Sequence, residues 1–287
     1  YSGQILHTLP DSFVGSRNPL QIGAELYGHA GPESDVEIIT LLAEVLEVAE
    51  IKSPSLEIGD IGLFRTICRL AHFDDIKEGE VLRLLLKKNF KDIEALLDSY
   101  QVQKSIKKLF LSLLKLNGSV DILDTAFSLF KRGGADLLPK LESLQELIAL
   151  LRQKEPNLAI GIDLAELKGF RYHSSTTFSV YTPAAGRAIA WGGRYEVDIG
   201  TLGQRTATGF SADLRTLFRF GEGMPEVESV ISAPSVAEEK LKQEINKLRS
   251  VGNVVLESFS SAEGDINDER INRRLVKQNG EWILEDV

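Results

Sequence analysis

The chain has 287 residues, 43% of them hydrophobic and 26% charged, with 42 acidic side chains against 33 basic ones and a formal charge of -9. That is enough apolar material for a sizeable core, and the negative balance repels a nucleic-acid backbone unless a basic patch is segregated. The richest basic run, Arg270 to Lys277, follows Asp265, Asp268 and Glu269 and reads as a solvated charged face.

In chain order, the first element is a strand over the apolar stretch Leu20 to Tyr27. Alternation puts Gln21, Gly23 and Glu25 on one face and Ile22, Ala24 and Leu26 on the other. At roughly 3.3 Å of rise per residue, Gln21 and Glu25 stand about 13 Å apart at Cα, and Gly23 leaves an open floor for a small polar ligand. The plainer reading is a half-exposed strand with two ordinary polar residues and a packing glycine.

Pro32 to Glu50 carries Val36, Ile39, Leu42, Val45, Leu46 and Ala49 at helical period behind an entry proline. Leu56 to Gly59 reads as a strand and Gly62 to Phe73 as a helix, with the single cysteine, Cys68, a buried inert thiol within it. From Asp74 to Pro156 the pattern is almost wholly helical, with Leu-rich blocks at Val81 to Leu86, Ile93 to Leu97, Ile106 to Leu116, Leu123 to Phe130 and Leu137 to Leu151. Leu158 to Asp163 resumes the sheet, followed by Thr176 to Tyr181 and Arg187 to Trp191 as an antiparallel pair around Pro183-Ala184-Ala185-Gly186. Gly209 to Phe218 reads as a helix packed behind them. Beyond Gly221, Glu226 to Ser232, Ala237 to Leu248 and Asn253 to Glu257 make a small βαβ unit. Asn279-Gly280, between Leu275-Val276 and Trp282-Ile283-Leu284, is a hairpin signal. The domains expected are therefore 1–73, a helical insertion 74–156, a second part of the core 157–220, and a C-terminal module 221–287.

Four segments carry the chemistry: Tyr1 to Gly28, Leu164 to Tyr181, Trp191 to Glu196 and Thr206 to Leu217. Together they resemble the aminoacylation core of histidyl-tRNA synthetase, and more closely its tRNA-free relatives, the regulatory subunits of short-form ATP phosphoribosyltransferase. The resemblance implies an α+β fold, a class II synthetase-like antiparallel sheet flanked by helices, with a helical insertion and a small α/β C-terminal module. It places Gln21 and Glu25 on the residues that read the amino and imidazole groups of histidine. Lys168 falls on the arginine of an Arg-Gly-Leu-Asp-Tyr-Tyr pattern, Arg171 on its acid, and Tyr172 and His173 on its two tyrosines. Gly192-Gly193-Arg194-Tyr195-Glu196 resembles Gly-Gly-Arg-Tyr-Asp, whose glycines allow close approach of a ligand. The histidine-binding-like set implied is Gln21, Glu25, Lys168, Tyr172, His173 and Gly193. Lysine keeps a charge suited to a carboxylate but loses the bidentate fork. His173 still offers a hydrogen bond and, with an ordinary pKa near 6.5, mild pH sensitivity, unless it is an exposed loop histidine with no role.

Against these stand the losses. The phosphate-clamping arginine of the second class II motif aligns with His7, and a nearby acid with Leu9. In the third motif, Gly209-Phe210-Ser211-Ala212-Asp213-Leu214-Arg215-Thr216, a glycine has become Asp213 and the arginine Thr216. Adenylate formation needs such cations, and removing one charge-stabilising donor costs on the order of 100-fold or more. Arg215 lies one position away, and a one-residue slip would recruit it.

The four scattered histidines give no metal-ligand spacing, and with the cationic clamps lost and the resemblance implying a regulatory subunit, no catalytic residue, metal or cofactor is expected. The resemblance implies a regulatory subunit that joins the short catalytic ATP phosphoribosyltransferase in a hetero-octamer, self-associates as a dimer, activates its partner and transmits feedback by histidine. No tRNA, no membrane and a cytoplasmic location go with it. The rival readings are an active histidyl-tRNA synthetase or adenylate ligase using Arg215 and Arg17, and a histidine sensor regulating another partner. Tyr1 reads as a mid-strand residue, so the expectation is a chain lacking upstream residues that carry the first class II motif.

Overall fold

A computed structural model of the chain describes residues 1–8, 17–132, 134–167, 169–170, 172–198, 200, 203–221, 230–258 and 271–287. Leu9, Lys168 and Arg171, named above, lie outside the described residues. Two compact units form, Tyr1–Gly223 and Met224–Val287.

The first unit is built on a sheet in the order β1 (Ser2–Gln4), β2 (Leu20–Tyr27), β8 (Gln204–Asp213), β7 (Ala190–Asp198), β6 (His173–Tyr181), β3 (Ser55–Asp60), β5 (Ala159–Asp163), β4 (Asn117–Ser119). Neighbours run antiparallel except β3 and β5. The alternation on β2 is the expected one: Ile22, Ala24 and Leu26 pack on the core while Gln21, Gly23 and Glu25 take the other face. Against the apolar face lie α1 (Pro32–Val48), with Val36, Ile39, Leu42 and Leu46 buried, and α2 (Ile61–Leu70), with Phe64, Ile67 and Cys68 buried. Burial pushes the Cys68 thiol far up, leaving it protonated.

One ion pair lies inside this layer. Arg194 on β7 meets Asp35 on α1 at 2.8 Å, with only 8% and 3% of their side chains exposed. The guanidinium also donates to the Gly31 carbonyl at 2.6 Å, the His29 carbonyl at 3.2 Å and Ser34 Oγ at 3.1 Å, while Thr208 on β8 donates to Asp35 Oδ1 at 2.6 Å. Both terminal guanidinium nitrogens and Asp35 Oδ1 thereby have partners, which is what lets a buried pair be tolerated.

The segment expected as a separate helical insertion comprises α3 (Asp75–Leu86), α4 (Phe90–Ser99), α5 (Lys104–Leu113), α6 (Ile122–Phe130), a 3-10 turn (Ala135–Leu137) and α7 (Leu138–Lys154). It is not insulated from the sheet. Val81, Leu85, Ile93, Leu97 and Phe110 belong to the same core as Ile58 and Phe64, and Phe110 stacks on Phe73 with ring centroids 5.6 Å apart. Within it β4 pairs with β5, so the stretch is not wholly helical. Two other expectations shift. Arg187 to Trp191 is the approach to a strand that runs on to Asp198, through the Gly-Gly-Arg-Tyr segment. Gly209 to Asp213 is strand, paired on both sides, and only Leu214–Phe220 is helix α8. The boundary is Asp213, whose carboxylate accepts from the Arg215 amide as an N-cap.

In the second unit β9 (Val230–Pro234), α9 (Glu239–Ser250) and β10 (Val254–Ser258) form the expected parallel βαβ, and β11 (Ile271–Gln278) pairs with β12 (Glu281–Asp286), giving the order β10-β9-β11-β12. The hairpin turns at Asn279 and Gly280, both at positive φ (50° and 86°), as a type I′ turn requires. Of the basic run, Arg274 pairs with Glu285 and Lys277 with Glu238. Among the described residues no helix is long and apolar enough to cross a membrane.

Removing one member of the Arg194–Asp35 pair strands a buried charge. Asp35→Ala is expected to lower the unfolding free energy of the first unit by about 3–5 kcal/mol in a denaturant titration, and Thr208→Val by only about 1 kcal/mol.

Candidate functional site

The face of the sheet opposite α1 and α2 is where the sequence motifs converge. Register places Glu25 opposite Gly209, and Gly209 opposite Gly193, across three adjacent strands. Neither glycine is replaceable by a larger residue. A Cβ on Gly209 would run into the Glu25 carboxylate and the Ala24 carbonyl, and one on Gly193 would lie 2.5 Å from the Thr176 carbonyl and 2.8 Å from His173 Nδ1. The glycine floor therefore exists to seat Glu25 and His173.

Around Glu25 is a tyrosine cluster. Tyr195 donates its hydroxyl to Glu25 Oε2 at 2.7 Å, lies 3.4 Å from the Tyr27 hydroxyl, and stacks on Tyr172 with centroids 4.4 Å apart. Burial raises the Glu25 pKa, opposed by the Tyr195 hydrogen bond. Burial likewise raises the Tyr172 and Tyr195 phenols, so both stay protonated. Tyr172 is placed by its neighbour: the Phe170 ring packs edge-on against Phe64 at 5.3 Å, under the Arg65 guanidinium at 4.8 Å, and its carbonyl accepts from Arg65 at 2.8 Å.

Gln21 stands in a second cluster. Its amide donates to the Tyr1 hydroxyl at 2.8 Å and to Ser211 Oγ at 2.9 Å. The Tyr1 phenol covers Gly23, with its hydroxyl 2.5 Å from where a Cβ would be, so the open floor expected between Gln21 and Glu25 is occupied by an aromatic ring.

His173 departs from expectation. It opens strand β6, is 8% exposed and lies between Gly169 and Gly193, and its Nδ1 is buried without a hydrogen-bond partner among the described residues. It is neither a loop histidine nor a mild pH sensor. Burial pushes its pKa down to about 4, so the ring is neutral throughout the physiological range.

Beside these clusters is a cavity of about 540 Å³, lined among others by His7, Glu166, Tyr172, His173, Arg187 and Trp191. Thus His7, Tyr172 and His173 come together at one cavity, while the described lining does not include Gln21 or Glu25. The degenerate positions form a chain of their own: Thr216 Oγ1 donates to Asp213 Oδ2 at 3.0 Å and accepts from Arg187 Nη2 at 3.1 Å. Arg215 instead reaches the Asn18 carbonyl at 3.2 Å, so no slip brings it to Thr216. Sequence reasoning missed Tyr195, Trp191 and Arg187 as site residues. The first two could have been found, since alternation puts them on the face of Gly193; Arg187 belongs to no motif.

The fold and this face define a class II synthetase-like protein, and residues 1–217 match the histidyl-tRNA synthetase family model. A histidyl-tRNA synthetase from Nostoc superposes with a TM-score of 0.73 at 16% identity, over all of this chain and 76% of the other. A chain of the ATP phosphoribosyl transferase (HisG:HisZ) complex from Thermotoga maritima gives 0.58 at 21% identity, over 75% and 72%. Residues 228–285 match the ATP phosphoribosyltransferase subunit HisZ C-terminal domain. An ATP phosphoribosyltransferase regulatory subunit from Alkalilimnicola ehrlichii is 37% identical over 99% of this chain and 72% of its own length. The chain belongs to the ATP phosphoribosyltransferase regulatory subunit family, of histidine biosynthesis.

The buried imidazole gives a pH signature. The folded pKa lies below the unfolded one, so the unfolded chain takes up a proton first as pH falls, and stability present above about 6.5 is lost on the way to about 4. The loss should approach about 3 kcal/mol. An NMR titration is expected to put the His173 midpoint near 4, and His173→Gln to flatten the stability profile over that window; a midpoint near 6.5 would contradict the buried placement.

Proposed function

We propose that this chain is the non-catalytic partner of a short-form ATP phosphoribosyltransferase, which it activates and through which it transmits histidine feedback. The observation that carries this reading is 37% identity, over nearly the whole chain, to a named regulatory subunit. The site supports it. Groups suited to binding a small polar ligand are in place at Glu25, Tyr172 and Tyr195, while the cationic positions that adenylate chemistry needs are His7 and Thr216.

Histidine is the proposed ligand, held by the set Gln21, Glu25, Lys168, Tyr172, His173 and Gly193. The Glu25 carboxylate accepts an imidazole N–H, in exchange for or alongside the Tyr195 hydroxyl. Ligand binding shifts the assembly only through different affinities for its two states, a coupling typically of about 1–3 kcal/mol. The chain works in the cytoplasm as a self-associating dimer within a hetero-octamer. It does not act on tRNA, since its formal charge of -9 opposes an RNA backbone.

The test is phosphoribosyl transfer by the short catalytic subunit of the same source, with and without this chain, across a histidine titration. Turnover is expected to rise on adding the chain and to fall with histidine, and Glu25→Gln to shift the inhibition midpoint upward about 10-fold. No effect of the chain on turnover would sink the reading, and histidine-dependent ATP–pyrophosphate exchange would replace it with a surviving synthetase.

A further inference from the structure

The cavity beside β6 and β7 contains an arginine that no motif predicts. Arg187 stands before β7, and its guanidinium ends on Thr216, the residue that replaces the third-motif arginine. Its orientation is set from behind, because the Thr216 hydroxyl is itself held by Asp213. That is its only hydrogen bond among the described residues, and no carboxylate lies within ion-pair distance of it there. The rest of a donor fork suited to a planar anion is therefore unused. A half-buried guanidinium that lines a cavity with most of its donors unused is a candidate anion-binding group.

A second, independent feature of the same cavity also lacks a partner. His173 Nδ1 is buried without a hydrogen-bond partner within bonding geometry among the described residues, the nearest backbone influence on the ring being that of Arg194, and buried polar atoms in native proteins are seldom left so. Thr177 and Ser179 add hydroxyl-bearing side chains to the lining, and Trp191 an aromatic one. The volume, about 540 Å³, suits a small molecule.

We infer that Arg187 is the carboxylate-binding residue of this pocket, standing in space for the arginines lost at His7 and Thr216, and that the pocket takes a free α-amino acid. This deepens the histidine reading and rests on it for the ligand's identity, but the carboxylate assignment can be separated from it. The other charges decide against a nucleotide. Asp213 lies one hydrogen bond behind Arg187, so a phosphate dianion at the guanidinium meets a carboxylate through Thr216, whereas a singly charged amino-acid carboxylate meets less repulsion. Lys168, the family-position cation, is the competing candidate.

With Trp282→Phe, Trp191 becomes the single tryptophan of these 287 residues and reports the cavity by fluorescence. That parent and its Arg187→Gln, Arg187→Lys and Lys168→Gln derivatives are titrated with L-histidine, histamine, the other α-amino acids, AMP and inorganic phosphate. The expected result is a Kd for L-histidine at least 10-fold weaker in Arg187→Gln and partly restored in Arg187→Lys. Histamine, which lacks the carboxylate, should bind all four proteins alike. Unchanged histidine affinity in Arg187→Gln, with the loss appearing in Lys168→Gln, overturns the assignment and leaves the histidine reading standing. A parent that ignores histidine but binds another α-amino acid through Arg187 keeps the assignment and sinks histidine as ligand. Tighter saturation by AMP or phosphate than by any amino acid overturns the amino-acid pocket outright.

Discussion

Everything on the candidate face depends on the Arg194–Asp35 pair beneath it. A strand side chain has only two directions available, so pinning Arg194 down into the α1 layer forces Gly193 and Tyr195 up. A slip of one residue would turn Tyr195 away from Glu25 into the α1 layer and lift a charge out of its partners. The pair also draws in the Gly31 and His29 carbonyls, which fixes how the chain leaves β2 for α1 and hence where Glu25 and Tyr27 lie. Thr208 ties the third strand to the same carboxylate. Three adjacent strands are thus registered from one buried point, and the Glu25–Gly209–Gly193 row follows from it. Such a pair adds little net stability, because desolvation offsets its attraction; what it adds is intolerance of alternatives.

On the upper face, the residues at the motif positions suit recognition of a small ligand better than adenylate chemistry. Recognition of a small ligand rests on neutral or singly charged groups at fixed spacing, and the tyrosines, Glu25 and the glycines supply those. Catalysis of adenylate formation asks for cations aimed at charge that exists only in the transition state. Where the third motif has lost its arginine, Asp213 and Thr216 have become parts of a helix cap. An acid that would oppose phosphate is useful as an N-cap, and the cap is why α8 starts where it does.

Much of this was legible in the sequence. The alternation on β2, the helical periods from Val36 to Leu151, the Asn-Gly hairpin and the Gly-Gly-Arg-Tyr segment each correspond to an observed element. What was not legible depended on distant partners. Gly209 to Phe218 reads as helix because its apolar residues lack a clean period, yet two flanking strands hold its first half extended. His173 reads as a pH-sensitive ligand group until Gly169 and Gly193 close over both sides of its ring. Gly23 reads as open floor because nothing local says that Tyr1, twenty-two residues away, lies across it. The role of Arg187 is invisible to any motif, since its meaning comes from Thr216 on another strand-helix junction.

The tyrosine cluster sets a limit on how a ligand at Glu25 can signal. Glu25 already has a hydrogen bond from Tyr195, so an imidazole N–H that replaced it would exchange one bond worth about 0.5–1.5 kcal/mol for another and gain almost nothing. Bond counting at the carboxylate therefore falls below the coupling of about 1–3 kcal/mol that feedback requires. The remainder has to come from what the displaced hydroxyl does. Tyr195 is stacked on Tyr172, whose position is set by Phe170 locked into the core between Phe64 and Arg65. Moving Tyr195 would therefore break that stack or press Tyr172 and Phe170 against packed aromatic rings. Packed interiors resist partial displacement, so the position of the Tyr195 hydroxyl is held by Phe64, Arg65 and Phe170 as much as by its own bond to Glu25.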